Sequence, residues 1–283
     1  GIINGTTNFI LSEMDTKGRE FADVLSEAQA KGYAEADPTF DVEGIDASHK
    51  LAILASIAFA MPLSLEGLFT DGITQLEPQD VAYARELGYV IKHLGIARQT
   101  DAGVELRVHP TLVPERSLIA GVNDVANAIM VNADAVGTTL FSGPGAGAEP
   151  TASSVIADIV DVARAMDSYP DSWVPALGYS SSVIEPRTLM NIEDVETGFY
   201  IRFSALDKPG VLSDVTKIMG DAGISIEAII QREQPAGERY VNVIILTNVT
   251  KEKCLNEAVT HIEHLETVRG EVSFIRVEYL DQV

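Results

Sequence analysis

The stretch ALDKPGVLSDVTKIMGDAGISIEAI, residues 205–229, decides the fold of the C-terminal part of the chain. Its first residues end an alternating apolar segment, its middle carries apolar residues at helical spacing, and its last residues begin a second alternating segment. Pro209 suits the first turn of the predicted helix, and Gly210 lets a backbone approach a ligand closely. A strand, a helix and a second strand are therefore predicted in this order.

The same kinds of strand and helix pattern continue on both sides of this stretch. Strands are predicted at residues 199–206, 224–232, 239–248 and 272–280, and helices at residues 209–222 and 251–263. The resulting βαββαβ order is that of the ferredoxin-like unit. Residues 197–283 are therefore predicted to form a separate domain.

The N-terminal part mixes helical and alternating patterns. Helices are predicted within residues 1–13 and at residues 20–31, 45–60, 80–88 and 151–166, and strands at residues 89–98, 104–112, 126–131 and 135–141, the last two joined by a turn at residues 132–134. We expect an α+β domain over residues 1–168, with a mixed or antiparallel sheet and helices packed on one face. Residues 169–196 contain several prolines and serines and little periodicity, which indicates a linker.

Composition narrows the class of protein. The 283 residues are 46% hydrophobic and carry a formal net charge of −22, which disfavours binding to nucleic acids or anionic membranes. The single cysteine, Cys254, fits a reducing compartment, and the longest apolar stretch, residues 51–61, is too short to span a bilayer. We expect a cytoplasmic, homo-oligomeric protein that binds small molecules.

Four ionisable residues form a candidate site. Asp46 and Lys50 are four positions apart on a predicted helix, so their side chains leave from the same face, and Glu35 and Asp41 lie in the polar loop before it. One carboxylate could hold a substrate ammonium while the lysine exchanges a proton with an alcohol or carbonyl oxygen. The alternative is a solvated surface pair with no function. Burial would lower the lysine pKa and the carboxylates would raise it, so its charge stays open.

Two stretches carry a resemblance to a known family. KGYAEADPTFDVEGIDASHK, residues 31–50, and GIINGTTNFIL, residues 1–11, resemble signature stretches of homoserine dehydrogenase. The resemblance continues through LGYVIKHLGIAR, VHPTLVP and GAGAEPTASSVIADIV and covers essentially the whole chain. It implies hydride transfer between a reduced nicotinamide, NADPH or NADH, and L-aspartate 4-semialdehyde to give L-homoserine, a step toward threonine, methionine and isoleucine.

The resemblance also implies roles for single residues. Lys50 would be the proton donor and acceptor at the substrate oxygen, Glu35 would bind the amino group, and Asp41 and Asp46 would orient substrate and lysine. Three further residues would line the pocket: Gly5, Thr6 and Tyr33. No metal ligand is predicted, because most ligands of the family's monovalent cation are absent from this chain. A further lysine, which the family places in its N-terminal domain, is absent as well.

The cofactor is expected to be held mainly by a domain that this chain lacks. No strand followed by G-x-G-x-x-G is present, and the nearest glycine-rich run, residues 143–150, has the wrong spacing. That run is either a turn before the helix predicted at Thr151 or, as the resemblance implies, a cofactor contact through Gly145 and Gly147. The chain also opens on Gly1 rather than Met, so we expect a further segment upstream. Because the nucleotide-binding unit and the family's further lysine are not found here, we expect that this chain does not turn over substrate by itself.

Residues 205–229 resemble the start of an ACT domain, a module that senses amino acids. Threonine is the expected effector, with its carboxylate at the helix N-terminus. Its predicted contacts are Asp207, Gly210, Val211, Leu212, Ile224 and Ile226. The module could instead only dimerise, and the apolar residues Val211, Leu212, Val215, Ile218 and Met219 are more simply core. Two other readings of the whole chain stay open: a non-catalytic amino-acid-binding regulatory protein, and a different enzyme with an ACT domain.

Overall fold

The computed structural model describes residues 1–166, 174–175, 177–232 and 239–280. The chain divides into two compact units, each built from three separate segments of the sequence. The first unit comprises Gly1–Pro78, Lys92–His109 and Leu118–Met190, and the second comprises Gln79–Ile91, Pro110–Ser117 and Asn191–Val283. The sequence predicts one boundary near residues 169–196, whereas two earlier segments group with the C-terminal residues.

Helices and strands follow one another in a mixed order, as the sequence predicts. In chain order they are α1 (Gly5–Lys17), α2 (Phe21–Ala30), α3 (Thr39–Val42), α4 (Ile45–Phe59), β1 (Phe69–Thr70), α5 (Pro78–Glu86), β2 (Tyr89–Thr100), β3 (Gly103–Pro114), β4 (Ala126–Ala133), β5 (Gly137–Pro144), α6 (Ala148–Met166), β6 (Glu196–Leu206), α7 (Val211–Asp221), β7 (Ile226–Gln231), β8 (Tyr240–Thr247), β9 (Thr250–Lys251), α8 (Glu252–Glu263) and β10 (Val268–Val277). Short 3-10 helices occur at Leu118–Gly121 and Ile192–Asp194. The α+β fold class is confirmed.

Two capping positions fix the helices of the first unit. Asn4 caps α1, because its side chain accepts a hydrogen bond from the Thr7 amide at 2.8 Å. Gly44 precedes α4 with a φ of 78°, and a Cβ there would lie 3.1 to 3.2 Å from the His93 ring and the Asp71 carbonyl oxygen. Only glycine combines that left-handed backbone with such a close approach. The start of α4 is therefore held in one position.

The strands of the first unit make a sheet and a hairpin. Strand β1 runs parallel to β3, and β2 also pairs with β3. Strands β4 and β5 form an antiparallel hairpin from the pair Ala126↔Pro144 to the pair Ala133↔Gly137. The turn lies at residues 134–136, two residues later than predicted, because β4 continues to Ala133. Strand β5 begins at Gly137, whose φ of 71° is a left-handed conformation that favours glycine.

The second unit contains the expected ferredoxin-like core. Strands β7, β8, β6 and β10 are neighbours in one antiparallel sheet. Alternate residues of β6, including Phe199, Ile201 and Phe203, pack into a buried cluster with α7 and α8. Tyr200 and Arg202 point to the opposite face, so β6 separates an apolar side from a polar one.

Helix α5 packs on that opposite face. The Tyr200 hydroxyl donates to Asp80 at 3.0 Å, and the Arg202 guanidinium donates to it at 2.5 and 3.2 Å. Asp80 is fully buried, and burial raises the pKa of Tyr200. The sequence predicts α5 as part of the first domain, yet its carboxylate anchors it to the C-terminal sheet.

Three other predictions need correction. Helix α7 begins at Val211, so Pro209 lies outside it and Gly210, with a φ of 98°, is its N-cap. Helix α6 begins at Ala148 rather than Thr151. The loop over residues 33–44 contains the single-turn helix α3.

The predicted linker, residues 169–196, is only partly within the described residues, since 169–173 and 176 lie outside them. Part of the described remainder is paired rather than free: the Val104 amide donates to the Thr188 carbonyl oxygen, and the Met190 amide donates back to Val104, both at 2.9 Å. In the part of the chain that the structure describes, no helix has the length and apolar character needed to cross a membrane.

Candidate functional site

The predicted catalytic, substrate and cofactor residues meet in one cavity of the first unit, with a volume of about 510 Å³. Its lining includes Gly5, Thr6, Tyr33, Glu35, Asp41, Asp46, Lys50, Gly145 and Gly147. The structure thus brings together every residue that the sequence assigns to this site. Their roles there stay predictions.

The central pair is Asp46 and Lys50 on α4. The Lys50 ammonium lies 2.6 Å from Asp46 Oδ2 and donates a second hydrogen bond to the Ile3 carbonyl oxygen at 3.2 Å. Their side chains are 47% and 20% exposed. An ammonium has three donors and two are used here, so one remains for a ligand in the cavity.

Asn4 connects the carboxylates of the site. Its Nδ2 donates to Asp41 Oδ1 at 2.7 Å and to Asp46 Oδ2 at 2.9 Å. Asp41 lies on α3 and Asp46 in the first turn of α4. The side-chain amide therefore holds two negatively charged groups beside each other at the cavity wall.

The loop after α2 supplies another side of the cavity. The Thr6 hydroxyl donates to the Tyr33 carbonyl oxygen at 2.6 Å, which fixes the loop against α1. The Tyr33 ring packs edge-on against Phe9 with 5.2 Å between centroids. Glu35 lines the cavity with an exposed side chain, two positions beyond this anchor. The flexible carboxylate is thus carried on a tethered backbone.

Lys31 is a second cation at the cavity, and the sequence does not single it out. Its ammonium lies 2.6 Å from Glu27 and 4.9 Å from the centre of the Phe9 ring. The hydrogen bond that Lys31 donates to Glu27 raises the pKa of Lys31. The lysine is therefore a fixed positive charge, which suits attraction of an anionic group more than proton transfer.

The glycine-rich run forms the remaining wall. A Cβ on Gly145 would lie 1.8 Å from Asn127 Nδ2, so only glycine leaves room for that side chain. The Oδ1 of Asn127 is buried and has no hydrogen-bond partner among the described residues. A buried amide oxygen without a partner favours a ligand that donates a hydrogen bond. Gly5 is confined less severely, because its Cβ would lie 3.0 Å from the Val125 carbonyl oxygen.

Seven residues that line the cavity are not predicted from the sequence: Asn4, Lys31, Gly32, Ala34, Val125, Asn127 and Ala146. Asn4 has a usable signal, since asparagine directly before a helical segment is a capping residue. Asn127 has none, because an asparagine inside a strand pattern does not reveal which loop will fold over it.

The second unit has a cavity of its own, of about 320 Å³. Its lining includes four of the predicted effector residues: Asp207, Gly210, Val211 and Leu212. Ile224 and Ile226 do not line it; Ile224 is buried in the apolar core and Ile226 packs against that core. Gln231, Val241 and Val243 line the cavity instead, and Gln231 donates to Asp207 at 3.3 Å. The neighbouring residues Val215 and Met219 are core, as predicted.

This geometry places a lysine and three carboxylates around one cavity in the first unit, and a second cavity at the N-terminus of α7 in the second unit. Across the described ranges, no group of three or more His, Cys, Asp or Glu side chains is arranged to hold a metal ion. The protein is thus an α+β protein with a polar cavity in one unit and a ferredoxin-like module in the other.

Comparison with known proteins identifies the family. Residues 1–160 match the profile of homoserine dehydrogenase, and residues 199–258 match that of the ACT domain. The chain is 57% identical to the homoserine dehydrogenase of Pseudomonas aeruginosa and 48% identical to that of Neisseria gonorrhoeae, over 99% of its own length in both cases and over 65% and 64% of theirs. The chain belongs to the homoserine dehydrogenase family.

Solved structures agree with this assignment. The crystal structure of a homoserine dehydrogenase from Thiobacillus denitrificans has a TM-score of 0.91 and 54% identity, and the match covers 97% of this chain and 62% of that one. The Staphylococcus aureus homoserine dehydrogenase at pH 6.0 has a TM-score of 0.72 and 30% identity. The chain therefore spans somewhat less than two thirds of the length of these relatives.

Proposed function

We propose that this chain carries the substrate cavity of a homoserine dehydrogenase that interconverts L-homoserine and L-aspartate 4-semialdehyde with NADP or NAD. The observation that supports this most is the Lys50 and Asp46 pair, 2.6 Å apart, at the wall of a cavity that Glu35 and Asp41 also line. An amino-acid substrate needs an anchor for its ammonium and a proton exchanger at the oxygen that changes its bonding. The cavity offers both.

The roles of the chain's own residues follow from their chemistry. When L-aspartate 4-semialdehyde is reduced, the Lys50 ammonium donates a proton to the aldehyde oxygen, which becomes the hydroxyl of homoserine, and the lysine becomes neutral. Asp46 and the Ile3 carbonyl oxygen hold the lysine nitrogen in place through two hydrogen bonds. Glu35 binds the substrate ammonium, and Asp41 helps to orient the substrate. In the reverse direction the neutral lysine accepts the proton of the homoserine hydroxyl.

The wall formed by Gly145 and Gly147 fits the cofactor. The close approach at Gly145 and the unpartnered Asn127 oxygen suit a flat group that carries an N–H donor, such as a nicotinamide carboxamide. The nicotinamide, when bound, supplies or accepts the hydride. We infer that residues outside these 283 hold most of the nucleotide, which accords with a chain that spans 65% of its Pseudomonas aeruginosa relative.

The surface of α6 supports the same inference. None of its residues is buried, and several large apolar side chains on it are exposed. They are Val155, Ile156, Ile159, Val160, Val162 and Met166. An exposed apolar row of this size favours contact with another part of the protein.

An activity assay tests the proposed function. The 283 residues alone, mixed with NADPH and L-aspartate 4-semialdehyde, are expected to show no steady loss of NADPH, whereas the full-length protein is expected to oxidise NADPH at a rate proportional to enzyme. Turnover by the 283 residues alone would contradict the inferred need for further residues. Absence of turnover by the full-length protein with both nicotinamide nucleotides would contradict the proposed reaction.

We further propose that the cavity of the second unit binds an amino-acid effector, with threonine as the first candidate. The Asp207 carboxylate would hold the ammonium, the amides of the first turn of α7 would hold the carboxylate, and Val241 and Val243 would contact the side chain. We also propose that the protein is a cytoplasmic homo-oligomer.

Thermal shift of the full-length protein tests the effector site. Millimolar threonine should raise the melting temperature, and Asp207→Asn should abolish that rise. Asp214→Asn is the matched control, because Asp214 lies in the first turn of α7 but does not line the cavity. Equal loss of the response in both variants, or no response in the parent, would contradict the proposal.

A further inference from the structure

We propose that Asn4 is a positioning residue of the catalytic cavity, which fixes the orientation of Asp41 and Asp46 and thereby the charges that face Lys50. This inference rests on the function proposed above, because it assigns to Asn4 a part in the proton transfer. Asn4 is not among the residues that the sequence assigns to the site.

Every hydrogen-bonding group of the Asn4 side chain has a partner. Its Nδ2 donates to Asp41 at 2.7 Å and to Asp46 at 2.9 Å, and its Oδ1 accepts from the Thr7 amide at 2.8 Å. The residue is only 4% exposed. A buried primary amide with both N–H donors on carboxylates is fixed in one rotamer, since any rotation would break charge-assisted hydrogen bonds.

These contacts tie the elements of the site together. Asn4 caps α1, Asp41 lies on α3 and Asp46 on α4. The residue before it, Ile3, supplies the carbonyl oxygen that receives the Lys50 ammonium. One residue and its neighbour therefore place both the carboxylates and the lysine.

The amide also controls the charge around the lysine. The two carboxylates are held to one nitrogen, where they would repel each other without a donor between them. A neutral amide satisfies both without adding charge. A carboxylate in its place could donate to neither and would add a third negative charge, which would favour the protonated form of Lys50.

Two substitutions separate the capping role from the positioning role. Asn4→Asp keeps an oxygen that can accept from the Thr7 amide, and aspartate caps helices as well as asparagine does. It loses both donors and adds charge. Asn4→Ser also keeps a capping oxygen and adds no charge, and it replaces the two amide donors by one hydroxyl donor, which cannot bind both carboxylates.

The test measures homoserine oxidation by the full-length protein and its two variants as a function of pH. We expect kcat to fall about 10- to 100-fold in both variants, because displaced catalytic groups react slowly, with a smaller change in KM. In Asn4→Asp alone, the pH at which kcat reaches half its alkaline maximum should move upward. Melting temperatures should stay close to that of the parent.

A readout independent of turnover completes the test. The Lys50 side-chain resonance, assigned with a Lys50→Arg variant in protein labelled with carbon-13 lysine, should titrate at higher pH in Asn4→Asp than in the parent. If parent activity is missing but this shift is present, the proposed reaction fails and the positioning role stands. If the parent is active while both variants keep its kcat and its Lys50 titration, or lose activity only in proportion to a lowered melting temperature, the positioning role is refuted.

Discussion

Two ion pairs of this molecule have nearly the same length and opposite surroundings. Lys50 and Asp46 are 2.6 Å apart in the first unit, with side chains 47% and 20% exposed. Arg276 and Glu252 approach to 2.6 Å in the second unit, and each is 4% exposed. The contrast shows that distance alone does not tell what an ion pair does.

The difference lies in what remains available on each partner. The Arg276 guanidinium forms two parallel hydrogen bonds, 2.7 and 2.6 Å long, to both oxygens of Glu252, so the carboxylate is fully engaged. Lys50 meets one oxygen of Asp46 and keeps a donor for a ligand. The buried pair serves the fold, whereas the exposed pair is suited to chemistry. Substitution of the cation in each pair tests this contrast, and two smaller effects concern the surroundings of the first cavity.

The largest effect is expected from Lys50→Met. Removal of the proton donor should lower kcat of the full-length protein by about 10³-fold, in the range of general acid–base catalysis. The free energy of unfolding should change by less than about 1 kcal/mol, because exposed pairs contribute little to stability. Lys17→Met is the matched control, since Lys17 makes a similar pair with Glu13 at 2.7 Å on α1, away from the cavity. Retention of activity in Lys50→Met would remove the lysine from the mechanism.

Arg276→Met should have the opposite effects, with a large loss of stability and little change in kcat. It leaves the buried Glu252 carboxylate unpaired and should cost about 3 to 5 kcal/mol of unfolding free energy in a urea titration. The double variant Arg276→Met with Glu252→Leu should recover most of this loss. Arg269→Met, on the same strand but exposed, should cost less than about 1 kcal/mol. A single variant as stable as the parent would mean that the buried pair does not serve the fold.

Acid should weaken the first unit through His93. Burial lowers the pKa of His93 from 6.5 to about 4, and its Nδ1 has no partner among the described residues. The folded pKa lies below the unfolded one, so the unfolded state binds the proton more readily. The contribution of His93 to the free energy of unfolding is fully present above pH 6.5, and about 3 kcal/mol of it is lost as the pH drops toward 4. Thermal melts of parent and His93→Gln across this range should show a weaker pH dependence in the variant; equal slopes would exclude His93 as the cause.

The smallest effect is expected from Gly145→Ala. Its Cβ would overlap Asn127, whose side chain must then move, so KM for the nicotinamide nucleotide should rise about 10-fold, equivalent to about 1.4 kcal/mol. Gly143→Ala is the control in the same run, because a Cβ there would meet nothing within 4 Å. Steady-state kinetics with varied nucleotide distinguish them. Identical KM values would separate this loop from the cofactor.

Much of the fold follows from periodicity. The bounds of α4 are predicted to within one residue, because its apolar positions recur at helical spacing up to Phe59. The start of α7 is predicted two residues early, since proline at a first helical turn is common and the left-handed Gly210 is not visible in the pattern. The grouping of α5 with the C-terminal sheet depends on Asp80 contacting residues about 120 positions away, which local sequence cannot reveal.

The candidate site shows the same division. The ionisable residues near Lys50 are recognisable because they lie in one run of twenty residues that resembles a family. Asn4 and Asn127 reach the same cavity from elements that are distant from Lys50 in sequence. The pattern marks Asn4 only as a helix cap, and it does not mark Asn127 at all. Ile224 is predicted at the effector cavity, but its side chain is in the core.

Gly44 has a consequence for how variants of this protein are interpreted. It has no side chain to offer a ligand, yet a methyl group there would press on His93 and the Asp71 carbonyl oxygen at the point where the lysine-bearing helix starts. A systematic survey of substitutions would therefore record position 44 as indispensable beside the ionisable residues. Intolerance to mutation at that position would report backbone geometry and not contact with substrate.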